Sequence, residues 1–316
     1  MHRSRKAIVT LTPARLQPKA TAVHRKGVAT TYKLHDRYLS NRKARALYTE
    51  HRPSLDDTQR QVVQELHDSG YSLLTADRLF SPETWQAVQE EGAEFVRATE
   101  HGLEGDGDLR KREGKDFLVR KYDVGGVVGL DNPWLSACAS RRLLDIANEY
   151  LQLWSKLEYL DLWYSLPVGE SAERKASQIW HRDFDDSHLL KVFLYLSDVD
   201  ERSGPFEYVP GSHPEGRLAG VHPWAPMGVG RISDKELAKY VETGDVRTFT
   251  APRGTLIFCN TSGLHRGGFA EANPRVLAAV TYCSPASLHA LTERNYSLAP
   301  GSDTRSLDPV VRYALS

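Results

Sequence analysis

Gln178-Ile179-Trp180-His181-Arg182-Asp183-Phe184 sets an imidazole and a carboxylate two residues apart. Positions i and i+2 of an extended strand share one face, so a strand here would present His181 and Asp183 side by side. Both are metal-ligand types. Gly263-Leu264-His265-Arg266-Gly267 offers a further imidazole at His265, the best candidate for a third ligand. Arg275 follows in Asn273-Pro274-Arg275-Val276, and a guanidinium there is suited to a two-pronged grip on a carboxylate.

The segments around this motif have the patterning of strands. Leu160, Leu162 and Tyr164 alternate with Asp161, Trp163 and Ser165 before it. After it come Leu190 to Leu196, Phe206 to Val209, Thr255 to Cys259 and Val276 to Tyr282. Ser203-Gly204-Pro205, Pro210-Gly211-Ser212 and Pro252-Arg253-Gly254 punctuate them as turns. Leu277, Ala279 and Thr281 alternate along the last segment and are small enough to leave interior room. Residues 212–248 interrupt the strands with a long insertion that could wall a substrate site.

The amino-terminal half is helical in pattern. Val62, Val63 and Leu66 form one stripe closed by Gly70, and Tyr71 to Leu74 predicts a short strand. Ser81-Pro82 predicts a helix start, with Ser as cap and Pro at the first position. Leu143, Ala147, Tyr150, Leu151 and Trp154 line one side of another helix. Between these helices, residues 102–133 are rich in Gly and charge. The first half suggests a surface excursion and the second a lid that includes Lys121 and Tyr122. A helical half followed by strands predicts an α+β, mainly β fold, a double-stranded β-helix (jelly roll, cupin-like) with helices packed on one side. The expected organisation is a basic extension over residues 1–55 and a single domain over 56–316, with its jelly-roll core at about 157–290.

Composition excludes several classes. The 41 basic residues cancel the 41 acidic ones, so no global field argues for nucleic acid or a membrane surface as partner. Apolar runs fall well short of the ~20 residues of a membrane helix, and no basic start leads into an apolar signal core. The acid-poor, Arg-rich start is read as a solvated arm or an extension lying over the domain, or else as a docking arm or a transit-like leader. Cys138, Cys259 and Cys283 are isolated and odd in number, which argues against disulfides or a zinc knuckle and for a cytoplasmic location.

Taken alone, H-x-D is as readily a surface strand pair as a ligand pair. His188, His213 and His222 compete as ligands, although His213 is better placed to fix a turn. Arg275 alone could be a surface charge. The ordered set is more specific. Two His and one carboxylate holding one face of a metal, with the other face open, is the arrangement of non-haem Fe(II) oxygenases. Without a dicarboxylate for Arg275, the same ligands would serve a cupin-like isomerase or hydrolase, and a degenerate binding protein is a further alternative. Gln178 and Trp180 flank the ligands, and Gln178 is a candidate for a cosubstrate contact. Arg266 could meet an anionic substrate group or solvent. Cys259 is expected to be a buried, inert thiol.

The block from Trp180 to Tyr282 resembles the phytanoyl-CoA dioxygenase family of Fe(II)/2-oxoglutarate oxygenases. The matching pieces are Trp180-His181-Arg182-Asp183, Tyr195 to Asp200, Gly204-Pro205, Val209 to His213, Gly254 to Phe258, His265 and Asn273-Pro274-Arg275. Gly70-Tyr71 and Leu79 to Glu83 extend the likeness to about residues 58–290. The resemblance implies that His181, Asp183 and His265 bind Fe(II) and that Arg275 holds the distal carboxylate of 2-oxoglutarate. It further implies that, with O2, a small molecule is oxidised at a C–H bond with release of succinate and CO2. Asp183 argues against halogenation, since halogenases of this superfamily carry Gly or Ala there. Gly267 is a departure, because many members have a small hydroxyl residue at that place. Neither the substrate nor the oligomeric state is legible in the sequence.

Overall fold

Strands that are covered on both faces need apolar side chains at every position, and the strand Arg275–Cys283 (β11) is buried at all nine. The computed structural model describes residues 35–105, 109, 111–112, 115–122, 126–169, 172–187, 189–225, 230–287 and 295–316. The chain is a mixed α/β structure built on a large antiparallel sheet. Its strands in chain order are β1 (Tyr71–Thr75), β2 (Lys111–Arg112), β3 (Lys115–Arg120), β4 (Gly126–Val128), β5 (Lys156–Ser165), β6 (Leu189–Tyr195), β7 (Phe206–Tyr208), β8 (Arg247–Phe249), β9 (Thr255–Cys259), β10 (His265–Arg266), β11 and β12 (Tyr296–Leu298). Seven of them form the large sheet in the order β1-β9-β6-β11-β5-β3-β2, and a three-stranded sheet runs β10-β7-β8.

Alternation along each strand divides the core in two. Val276, Ala278, Val280 and Tyr282 of β11, with Leu190, Val192 and Leu194 of β6, join the cluster beneath the helices. Leu277 and Ala279, with Phe193, Tyr195, Ile257 and Cys259, join Phe206, Tyr208 and Phe249 of the small sheet. One face of the large sheet therefore carries helices and the other meets the small sheet. Burying each such Leu, Val or Phe contributes about 1.5–3 kcal/mol relative to exposure.

Besides two single-turn helices at Ala76–Leu79 and Asp234–Leu237, the α-helices among the described residues are α1 (Arg42–Glu50), α2 (Asp57–Ser69), α3 (Pro82–Glu104), α4 (Pro133–Cys138), α5 (Arg141–Leu151) and α6 (Pro309–Leu315). Asp56 and Gln59 cap α2 reciprocally, and Gly70 ends it at φ 85°. A side chain at Gly70 would also collide with the Tyr208 hydroxyl and the His213 ring. Ser81 accepts a hydrogen bond from Thr84 N at the start of α3, with Pro82 in the first turn, as the sequence predicts. No helix among the described residues is long and apolar enough to cross a membrane.

Residues 1–34 of the predicted extension lie outside the described residues. Helix α1, however, buries Ala44 and Tyr48 in the main core, and Ala44 O accepts from Trp154 N at 3.1 Å. This part of the extension therefore lies over the domain. The stretch 102–133, expected to hold a surface excursion and then a lid, divides. Gly107, Arg110 and Gly125 lie outside the described residues, whereas β3 pairs with β5 through Leu118↔Ser165, Val119↔Tyr164 and Arg120↔Trp163. The charges around β3 mask a strand that is part of the large sheet.

Candidate metal centre

His265 opens β10, which pairs with β7. His181 reaches it through an isolated antiparallel bridge, with His181 N donating to His265 O (2.9 Å) and His265 N to His181 O (3.0 Å). Asp183 N donates to Thr261 O at 2.8 Å. The strand expected over H-x-D is therefore reduced to single bridges at Trp180 and His181. Arg182 anchors the segment. Its guanidinium is buried and donates to four backbone carbonyls: His222 O (2.7 Å), Val221 O (2.8 Å), Ser212 O (2.6 Å) and Ser262 O (2.6 Å). Trp224 Nε1 donates to Asp183 O at 2.8 Å. The insertion after residue 212 and the turn before His265 are thus tied to the ligand segment, and Trp224 gives Asp183 O the donor that a neighbouring strand would otherwise provide.

Both ligand types then converge. Asp183 Oδ1 lies 3.8 Å from His181 Nε2 and 3.8 Å from His265 Nε2, and the ligand atoms of the three residues all fall within 4.8 Å of one another. His181 Nδ1 faces Ile179 O at 2.8 Å and His265 Nδ1 faces Gly263 O at 3.0 Å. Each carbonyl assigns a proton to Nδ1 and leaves the Nε2 lone pair directed inward. Burial pushes the His265 pKa down to about 3, helped by the adjacent His181 ring, and burial lowers His181 too. Neutral rings at 3.8 Å do not form ion pairs with Asp183; they form an open set of lone pairs.

The second oxygen of Asp183 is already engaged. Oδ2 accepts from Lys191 Nζ at 2.5 Å and from Thr261 Oγ1 at 2.6 Å. Burial opposes ionisation of Asp183, yet the Lys191 ammonium and the two imidazoles together outweigh it and hold the carboxyl well below the usual range.

Arg275 begins β11 opposite Ser165. It is buried, and Nη2 reaches Ser165 Oγ at 3.4 Å, while Nε and Nη1 have no hydrogen-bond partner. The nearby Tyr195 hydroxyl donates instead to Phe249 O at 2.9 Å. Burial pushes the guanidinium pKa below its ordinary value. One cavity of about 100 Å³ connects these groups: the three ligand residues, Lys191 and Arg275 line it with Lys115, Phe117, Leu118, Trp163, Phe193, Phe206 and Leu277. Ser165, Ser177, Gly267 and Gly268 complete the lining. A Cβ at Gly267 would stand 3.3 Å from Ser177 O and 3.7 Å from Ser177 Oγ, so a hydroxyl is present next to the place where the sequence lacks one.

Other candidates lie elsewhere. Gln178 does not line the cavity; its Oε1 accepts from Lys175 N at 3.0 Å and closes a 3-10 turn. Lys121 Nζ and the Tyr122 hydroxyl both donate to Glu91 at 2.7 Å, beneath α3. Arg266 pairs with Glu207 and with Asp234 (2.7 Å) and stacks over Trp180, so it is not available for a substrate anion. Trp180 is itself buried, with Nε1 donating to Asp234 at 2.7 Å. His213 is buried against His67 O, His222 contacts Gly230 O, and His188 lies outside the described residues. Cys259 is buried in β9, and burial pushes its thiol pKa up, as an inert thiol requires. Of the β11 residues expected inside, Leu277 reaches the cavity, whereas Ala279 packs between the sheets.

Sequence reasoning missed Lys191, Thr261 and Ser177. For Lys191 a signal existed: it is the one charge in Leu-Leu-Lys-Val-Phe-Leu-Tyr, on the same side of the strand as Phe193 and Tyr195.

No family model and no curated protein matches the chain. Several solved structures are similar to it. EctD from S. alaskensis with bound Fe is 19% identical, covering 74% of this chain and 80% of that one, with a TM-score of 0.49. AviO1 from Streptomyces viridochromogenes Tue57 is 20% identical over 74% and 98% of the two chains, with a TM-score of 0.48. HygX from Streptomyces hygroscopicus, with nickel, 2-oxoglutarate and hygromycin B bound, is 15% identical over 73% and 88%, with a TM-score of 0.44.

Proposed function

We propose that this protein is an Fe(II)- and 2-oxoglutarate-dependent oxygenase that oxidises a C–H bond of a small molecule, on a double-stranded β-helix formed by the two facing sheets. The motifs from Trp180 to Tyr282 favour a place near the phytanoyl-CoA dioxygenase family, and three buried free thiols suit a reducing cytoplasm. The observation that carries the reading is Arg275: a buried cation with two orphaned donors in the same cavity as a His-Asp-His ligand set. Such a cation is costly unless an anion completes it.

The residues present fit both groups. His181 and His265 offer Nε2, and Asp183 offers Oδ1. Bound iron supplies the oxidation, with O2 and 2-oxoglutarate as cosubstrates and succinate and CO2 as products. Arg275 receives the distal carboxylate of 2-oxoglutarate, which gives Nε and Nη1 their missing acceptor. The Ser177 hydroxyl serves in place of the one absent at Gly267. Phe117, Trp163, Phe193 and Phe206 keep water out and hold the substrate by its apolar surface.

The test is anaerobic addition of 2-oxoglutarate to the Fe(II) protein, followed by charge-transfer absorbance. The wild type should develop the band. Asp183→Ala should lose it, together with substrate-dependent succinate formation. A wild-type protein that binds Fe(II) but never develops the band with 2-oxoglutarate sinks the reading.

A further inference from the structure

A carboxylate has two oxygens, and a metal offered both can take both, filling a coordination position that a cosubstrate needs. In this chain only Oδ1 of Asp183 faces the imidazoles, because Oδ2 is held by Lys191 Nζ (2.5 Å) and Thr261 Oγ1 (2.6 Å). Lys191 is anchored in the interior of the large sheet, with Thr281 opposite it on β11 and Cys259 opposite it on β9. Its side chain is only 15% exposed, and the ammonium stays on Asp183.

A cation in that position has a second effect. Lys191 neutralises the charge of Asp183, and both imidazoles are neutral. A divalent ion here would therefore keep its full charge, which weakens its own binding and strengthens the pull on a dianion. An ordinary carboxylate ligand does the reverse.

We propose that Lys191 is a positioning residue that restricts Asp183 to one-oxygen coordination and shifts the balance of the centre from metal affinity towards anion affinity. This rests on the reading of His181, Asp183 and His265 as a metal site. Thr261 shares the first role, since it also holds Oδ2, but not the second, since it carries no charge.

The experiment is a titration of the metal-free wild-type, Lys191→Met and Thr261→Val proteins with Co(II), read by the visible d–d spectrum, followed by 2-oxoglutarate. Lys191→Met should bind Co(II) about ten-fold more tightly and 2-oxoglutarate about ten-fold more weakly, with a changed d–d spectrum. Opposite movements are the signature, because a damaged fold would weaken both. Thr261→Val should change the spectrum with a much smaller change in Co(II) affinity, and it keeps the test open if Lys191→Met does not fold. Unchanged spectra in the variants, or Co(II) affinity that falls in Lys191→Met, would overturn the proposal. A wild type that binds no Co(II) would instead refute the metal-site reading on which it rests.

Discussion

Arg182 and Arg275 are both buried beside the candidate centre, at 3% and 5% exposure, and they differ in what their guanidinium groups touch. Arg182 reaches four backbone carbonyls from three separate stretches of chain. Arg275 reaches one hydroxyl at 3.4 Å and leaves two nitrogens unpartnered. Desolvating a charge is costly in either place. The protein itself compensates the first, which makes Arg182 part of the architecture. The second is compensated only when something anionic arrives, which makes Arg275 part of a binding site.

The largest expected effect comes from breaking the saturated side. Arg182→Met should lower stability by about 3–5 kcal/mol, because it strands several buried carbonyls at once. Urea denaturation measures it, and metal binding should fall with the fold. Arg275→Met breaks the other side and should leave the unliganded protein as stable as wild type or more so. Its cost should appear in 2-oxoglutarate affinity instead, as a loss of about 100-fold, or about 2.8 kcal/mol, by calorimetry. If both variants lose stability alike, the contrast between the two arginines is wrong.

Acid sharpens the comparison, because it reaches the imidazoles and spares Arg182. Burial pushes the Arg182 pKa down to about 10, still far above neutrality. The His265 pKa, pushed down to about 3, lies below its ordinary 6.5. Between those values the unfolded chain binds a proton that the folded chain refuses, so stability falls as pH drops from 6.5 towards 3. Metal-free protein should lose about 2 kcal/mol between pH 6.5 and pH 5, measured by denaturation in the presence of a chelator. The lowered pKa values of His181 and Asp183 act in the same direction. The smallest effect is expected from Gln178→Ala, which should alter 2-oxoglutarate affinity less than about two-fold and cost about 1 kcal/mol of stability for one lost hydrogen bond. A large loss of affinity there would return Gln178 to the cavity.

The sequence shows most plainly what depends on residue type and short spacing. His181, Asp183, His265 and Arg275 stand out because few side chains do metal and carboxylate chemistry. Segments such as Thr255–Cys259 stand out because strands covered on both faces read as apolar runs. Partners distant in sequence are harder to see. The anchoring of H-x-D through Arg182 runs to carbonyls at Ser212, Val221, His222 and Ser262, none of them near it in the chain. Gln178 looked close to the site because it is close in sequence, but one 3-10 turn directs its amide to Lys175. Lys191 was hidden by its apolar neighbours, and β3 by the charges around it.

The insertion after residue 212, none of whose described residues lines the cavity, is tied to the ligand segment by the carbonyls of Val221 and His222 and by the Trp224 indole. Rebuilding the backbone of that insertion would therefore tug on Asp183 itself. Changes of specificity should come most safely from the β3 side chains that line the cavity, Lys115, Phe117 and Leu118, where it can be reshaped without moving a ligand.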